Sequence, residues 1–128
     1  MEDIKVNQHG VNIKIKVTVL PEEKMRHIGF TDYAKDRWYF CRVIKFPDKK
    51  RYKNFIITFG VSIVKNNPED FRIDVLDDAY CQPYDYQAIL ENNPNFEPCL
   101  IVKEQVEEWM KYLQDEGVLS GHKFGEYI

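Results

Sequence analysis

The chain has 128 residues, 44% of them hydrophobic and 14% aromatic, with a formal net charge of −3. That length fits one domain with its own core, and the aromatic content excludes a disordered chain. No apolar run approaches the ~18 residues of a membrane span, and Cys41, Cys81 and Cys99 are too widely spaced for a zinc knuckle.

Residues 11–20 alternate: Val11, Ile13, Ile15, Val17 and Val19 against Asn12, Lys14, Lys16 and Thr18. This is a strand with one buried and one wet face, and residues 4–6 are expected to pair with it across the turn at 7–10. Pro21 starts a short helical turn with Glu22 and Glu23 at its acidic start and Gly29 as its stop. Residues 30–36 read as an irregular connection. Over residues 37–46, Trp38, Phe40, Ile44 and Phe46 share a face that also holds Arg42. Tyr39, Cys41 and Val43 make the other face apolar too, so this strand reads as central. A turn at 47–50 leads to a long strand over 52–65, with Phe55, Ile57, Phe59, Val61 and Ile63 on one side.

Asn66-Asn67-Pro68 reads as a break. Residues 71–77 alternate as a strand; a helix there would place Arg72 in its apolar arc, so the strand is preferred. Pro83 opens a short helix through Asn92. The clearest helix spans 102–116, with Val102, Val106, Trp109, Met110 and Leu113 at helical spacing. Gly117 suits its C′ position and Val118 the accompanying apolar contact. The tail holds Gly121 and Gly125 and reads as a short edge strand or a docked loop.

Strands first and helices last predict one α+β domain over residues 1–128. Its antiparallel, meander-like sheet of four or five strands is packed on one face by two or three C-terminal helices. The expected core is Trp38 or Trp109 with Phe40, Phe55, Ile57, Phe59, Val106 and Leu113.

Charge is split along the chain. Residues 1–65 carry 14 basic and 7 acidic side chains, a balance of 14 − 7 = +7. Residues 66–128 carry 4 and 14, a balance of 4 − 14 = −10. Such a body steers partners of either sign. On the acidic side, Asp70, Asp74, Asp77 and Asp78 lie close in sequence, and Glu104, Glu107 and Glu108 follow on the last helix. Glu104 and Glu108 form a like-charged i, i+4 pair that mildly opposes the helix. The plain alternative is solubilising charge.

The basic stretch is Lys45, Lys49, Lys50, Arg51 and Lys53, interleaved with Phe46 and Tyr52. A protruding hairpin tip of this kind suits phosphate binding with a stacking ring, or a solvated turn. Gln82, Tyr84, Asp85 and Tyr86 with His122 would line a small pocket, or simply cap a helix start. His9, His27 and His122 are scattered, no catalytic or phosphate-loop motif occurs, and no metal site or cofactor is expected.

The expectation is a small non-enzymatic protein-binding or inhibitor module. It would use its acidic C-terminal surface against a partner with a basic surface. The general character suits an accessory protein of a phage or mobile element. Nucleic-acid binding through the basic tip, and a small-ligand or enzymatic site near 82–86 and 122, are the alternatives. Reduced thiols and an acidic N-terminus fit a cytoplasmic protein without membrane association. The doubly apolar strand is compatible with a homodimer.

Overall fold

The computed structural model describes residues 15–48, 50–53, 56–78 and 82–121. In chain order the elements are β1 (Lys16–Val17), α1 (Glu22–Ile28), β2 (Arg37–Val43), β3 (Ile57–Val64), β4 (Asn67–Asp77), β5 (Gln82–Pro83), α2 (Tyr86–Asn92), α3 (Glu97–Asp115) and β6 (Leu119–Ser120). Strands β2 to β5 form an antiparallel four-stranded sheet in sequence order, and β1 pairs with β6 in a separate two-stranded sheet. The C-terminal helices pack against the larger sheet, so the molecule is an α+β domain.

The period-two patterns become one apolar sheet face. Trp38, Ile63 and Phe71 lie in one cross-strand row; Phe40, Val61 and Ile73 form the next; Arg42, Phe59 and Val75 form the third. Against this face α3 sets Cys99, Val102, Val106, Met110 and Leu113, all fully buried. Each large apolar side chain buried this way contributes roughly 1.5–3 kcal/mol. Among the expected core residues, Trp38, Phe40, Ile57, Phe59, Val106 and Leu113 are buried, Trp109 is half-buried, and Phe55 lies outside the described residues.

Helix ends follow local chemistry. Gly29 closes α1 at φ 124°, its N–H bonded to the Met25 and Arg26 carbonyls. Gly117, at φ 90°, and Val118 close α3. Gly117 N–H donates to Gln114 O at 3.1 Å and Val118 N–H to Leu113 O at 3.0 Å, with Val118 buried beneath. Asp85 caps α2, its Oδ1 accepting from Ala88 N at 3.1 Å.

Several expected boundaries move. The helix assigned to Pro83 starts only at Tyr86, because Pro83 is taken into β5 opposite Leu76. Helix α3 begins five residues before Val102, with Pro98 in the first turn, where its missing N–H costs nothing. The strand expected over 52–65 starts at Ile57. Asp48 prevents an earlier start: its Oδ1 accepts from Lys50 N and Arg51 N at 3.0 and 3.1 Å, and its carbonyl accepts from Tyr52 N at 3.0 Å. That turn consumes the backbone groups a ladder would need.

The expected break at Asn66-Asn67-Pro68 is instead a tight turn at 65–66 followed directly by β4, the strand preferred for 71–77, which starts four residues earlier than expected and takes in Asn67 and Pro68. Pro68 has no register partner on β3, so the sheet loses no bond there. Within residues 11–20 the described strand is only Lys16–Val17, and its partner is the tail strand β6, not the four-stranded sheet. The strand expected at 4–6 and its turn lie outside the described residues. Among the described residues β3 and β4 are the inner strands of the sheet, whereas β2 is an edge. Its second face, Tyr39, Cys41 and Val43, is exposed.

An ion cluster ties α1 to the sheet. Asp32 Oδ2 accepts from Arg26 Nη2 and Lys65 Nζ, both at 2.9 Å. The same two cations lie over the buried Trp38 ring, at 5.4 and 4.4 Å from its centroid. The Lys65 hydrogen bond, and then that of Arg26, hold the Asp32 carboxyl below its ordinary range against the opposing effect of desolvation. A depressed folded pKa gives stability that is present above the unfolded pKa and lost as pH falls through the folded one. The melting temperature is therefore expected to fall below about pH 4, and Asp32→Asn to flatten that acid limb in a thermal series from pH 6 to pH 3. An unchanged acid limb would rule the cluster out as its source.

Candidate functional site

The site grows from the open side of β2. Arg42 takes an inward position in the alternation but lies at the sheet margin, so its guanidinium turns back over aromatic rings. Its Cζ sits 4.1 Å from the Phe40 centroid and 5.2 Å from that of Trp109, and Nη1 donates to Cys41 O at 2.8 Å. Gly29 gives it room, since a Cβ there would collide with Arg42 Nη2. Beyond β2 the chain stays extended, and α3 reaches across to it. Gln105 Oε1 accepts from Lys45 N at 2.8 Å and Gln105 Nε2 donates to Lys45 O at 2.6 Å. One side-chain amide thus makes both bonds that a neighbouring strand would make.

Between these two walls runs an open groove of about 750 Å³. The strand wall is Arg42, Val43, Lys45, Phe46 and Pro47; the helix wall is Ile101, Glu104, Gln105, Glu108 and Trp109. Apolar side chains interspersed with a few charged and polar ones are the ordinary lining of a recognition site. Glu104 and Glu108 are exposed, one turn apart, and neither makes an ion pair among the described residues.

The expected acidic residues do not form one surface. Glu104 and Glu108 line the groove, while Glu107 lies on the α2 side of the helix, where its charge helps raise the Tyr86 pKa. Asp74 faces outward opposite Gly60, with Arg72 Nη2 at 3.6 Å from its Oδ1. Asp77 is buried on the opposite sheet face, across from Ile57. Asp78 is exposed at the strand end with its N–H bonded to Ile56 O at 2.8 Å, and Asp70 is exposed near the strand start.

In the basic stretch the aromatic Tyr52 is packed down, while the described cations stay on the surface. Tyr52 is only 5% exposed, its ring lies 5.0 Å from that of Phe46, and its OH donates to Glu97 Oε1 at 2.7 Å. Arg51 Nη1 is 3.5 Å from Glu97 Oε2, at the start of α3. Lys45, Lys50 and Lys53 are exposed, and Lys49 lies outside the described residues.

The 82–86 segment is a helix start against the core. Gln82 is exposed opposite Asp77, Asp85 is the cap of α2, and Tyr86 is buried. Tyr84 is half-buried, its OH 3.3 Å from Cys99 Sγ. Burial, before any other cause, pushes both phenols and the Cys99 thiol up. His122 and Cys81 lie outside the described residues. Cys41 is exposed on the outer face of β2. Local desolvation, then the charge of Asp78, raises its pKa and leaves it a poor nucleophile. Among the described residues, no three His, Cys, Asp or Glu side chains gather to hold a metal, and no helix is long and apolar enough to cross a membrane.

Arg42 was visible in the sequence as a charge on an apolar face, but nothing local marked it as a groove wall. Gln105 carried no signal at all. No family model matches this chain, and neither the curated proteins nor the solved structures yield a match.

Proposed function

We propose that this chain is a protein-binding module whose groove between β2 and α3 receives part of a partner bearing basic side chains. One observation carries this: exposed Glu104 and Glu108 line a groove together with the apolar side chains of Trp109, Ile101 and Phe46. Their repulsion costs the helix a few tenths of a kcal/mol, which cations from a partner would reverse. Apolar contact supplies affinity and the carboxylates supply orientation and a salt-sensitive association rate. Free Cys41 and Cys99 fit a reducing compartment such as the cytoplasm. The nucleic-acid alternative loses one of its two rings, because Tyr52 is buried and hydrogen-bonded.

The test is selection of a displayed random-peptide library on the folded chain and on a Glu104→Lys, Glu108→Lys double variant. The wild type is expected to enrich sequences with Lys or Arg beside apolar residues, and binding should weaken about tenfold or more on the charge-reversed groove. No enrichment, or equal enrichment on both, would count decisively against this function.

A further inference from the structure

The groove has a main-chain wall as well as side chains. Tyr39 exchanges two backbone bonds of 2.8 Å with Thr31, away from β3, whereas Ile44 N donates to Ile57 O, toward β3. In an antiparallel ladder these directions alternate. The N–H and C=O groups of residues 39, 41, 43 and 45 therefore face the open edge of β2, and those of 40, 42 and 44 face β3. Thr31 satisfies the edge groups of Tyr39, and Gln105 satisfies those of Lys45. Arg42 covers the Cys41 carbonyl. What remains among the described residues is the Cys41 N–H and both backbone groups of Val43, a side chain 58% exposed that lines the groove. An open edge invites pairing with another chain and is usually blocked. Here both ends are blocked and the middle is not.

Resting on the protein-binding function above, we propose that the partner enters as a short extended segment that adds to β2 at Val43 as a further strand. One residue of the segment exchanges both main-chain bonds with Val43. With the segment antiparallel to β2, the residue two positions along accepts from Cys41 N–H and needs no N–H of its own, because Arg42 already occupies the Cys41 carbonyl. The blocked ends at Tyr39 and Lys45 limit pairing to about three residues, roughly 10 Å of strand. Basic side chains on the face turned to α3 meet Glu104 and Glu108. Strand addition of this kind draws affinity from the main chain and selectivity from alternate side chains.

The probe is a blocked synthetic heptapeptide alternating Val and Lys, titrated into the isotope-labelled chain and followed by amide spectra and hydrogen exchange. The expected result is a shift of the Cys41 and Val43 amides together with the Trp109 indole. Exchange at the Val43 amide should slow about tenfold. The same peptide N-methylated at every residue keeps charge and side chains but has no main-chain N–H donors, and is expected to bind at least about tenfold more weakly. Val43→Pro removes the matching donor from the protein without touching a β3 bond. The N-methylated probe tests the same bonding on the wild-type chain, should that variant fail to fold. Equal binding of both peptides, with shifts confined to α3, would overturn strand addition and leave the groove function standing. Binding of neither would overturn both. Concentration-dependent Val43 shifts without peptide would overturn the proposal in favour of a second copy as the occupant.

Discussion

Phe40→Ala is expected to destabilise the chain by about 3–5 kcal/mol, the range for truncating a fully buried aromatic. Phe40 is 1% exposed and stands at the centre of a ring cluster. Its centroid lies 5.2 Å from that of Phe30, 6.4 Å from Phe59, 5.6 Å from Trp109 and 6.3 Å from Tyr112. Four elements or their flanks meet on this one side chain, and the cavity left behind cannot close without moving α3 relative to the sheet. The same ring carries the Arg42 guanidinium, so its loss should loosen the groove as well as the core. Urea unfolding monitored by far-ultraviolet circular dichroism measures the first effect, and near-ultraviolet ellipticity from Trp109 reports the second. Val43→Ala, three residues along on the exposed edge, serves as the control and should stay within about 0.5 kcal/mol. Similar midpoints for the two variants would refute the assignment of the core.

Base should unfold this chain cooperatively. Tyr84 and Tyr86 join β5 and α2 to the buried side of α3, and burial is the main cause raising both phenols above the ordinary tyrosine value. The neutral form is the one the fold accepts. A folded pKa raised above the unfolded one gives stability that is complete below about pH 10 and lost as pH rises through the folded values. Tyrosinate absorbance from these two side chains is therefore expected only as circular dichroism is lost. The Tyr84→Phe, Tyr86→Phe double variant should unfold at higher pH. Complete ionisation of all 8 tyrosines with the ellipticity unchanged would show that neither phenol is held by the fold.

The parts of the fold legible in the sequence were those governed by near neighbours. Gly29 and Gly117 end helices because a positive φ is needed where the backbone turns back. Alternation from Trp38 to Ile44 and from Ile57 to Ile63 told which side chains would be buried, and Arg72 argued correctly for a strand in β4. The misjudged boundaries were places where a local group competes with the ladder. Asp48 draws residues 50–52 into a turn, and β5 takes Pro83 out of the helix it was expected to open. The candidate acidic surface was drawn from proximity in sequence. A strand sends Asp74 and Asp77 to opposite faces, and of the three helix carboxylates only Glu104 and Glu108 line the groove.

By itself, then, the sequence determined an α+β chain: the order and rough places of its main strands and helices, the apolar face of most of them, and that charge is segregated along its length. Periodicity and capping act over a few residues and are written locally. Only the tertiary structure decided that β2 is an edge and β3 an inner strand, that Tyr52 is packed away, and that α3 closes one side of a groove. Those depend on which segments meet across long separations. Gln105 and Lys45 are 60 residues apart, and their paired bonds exist only after the sheet has formed and the helix has docked on it.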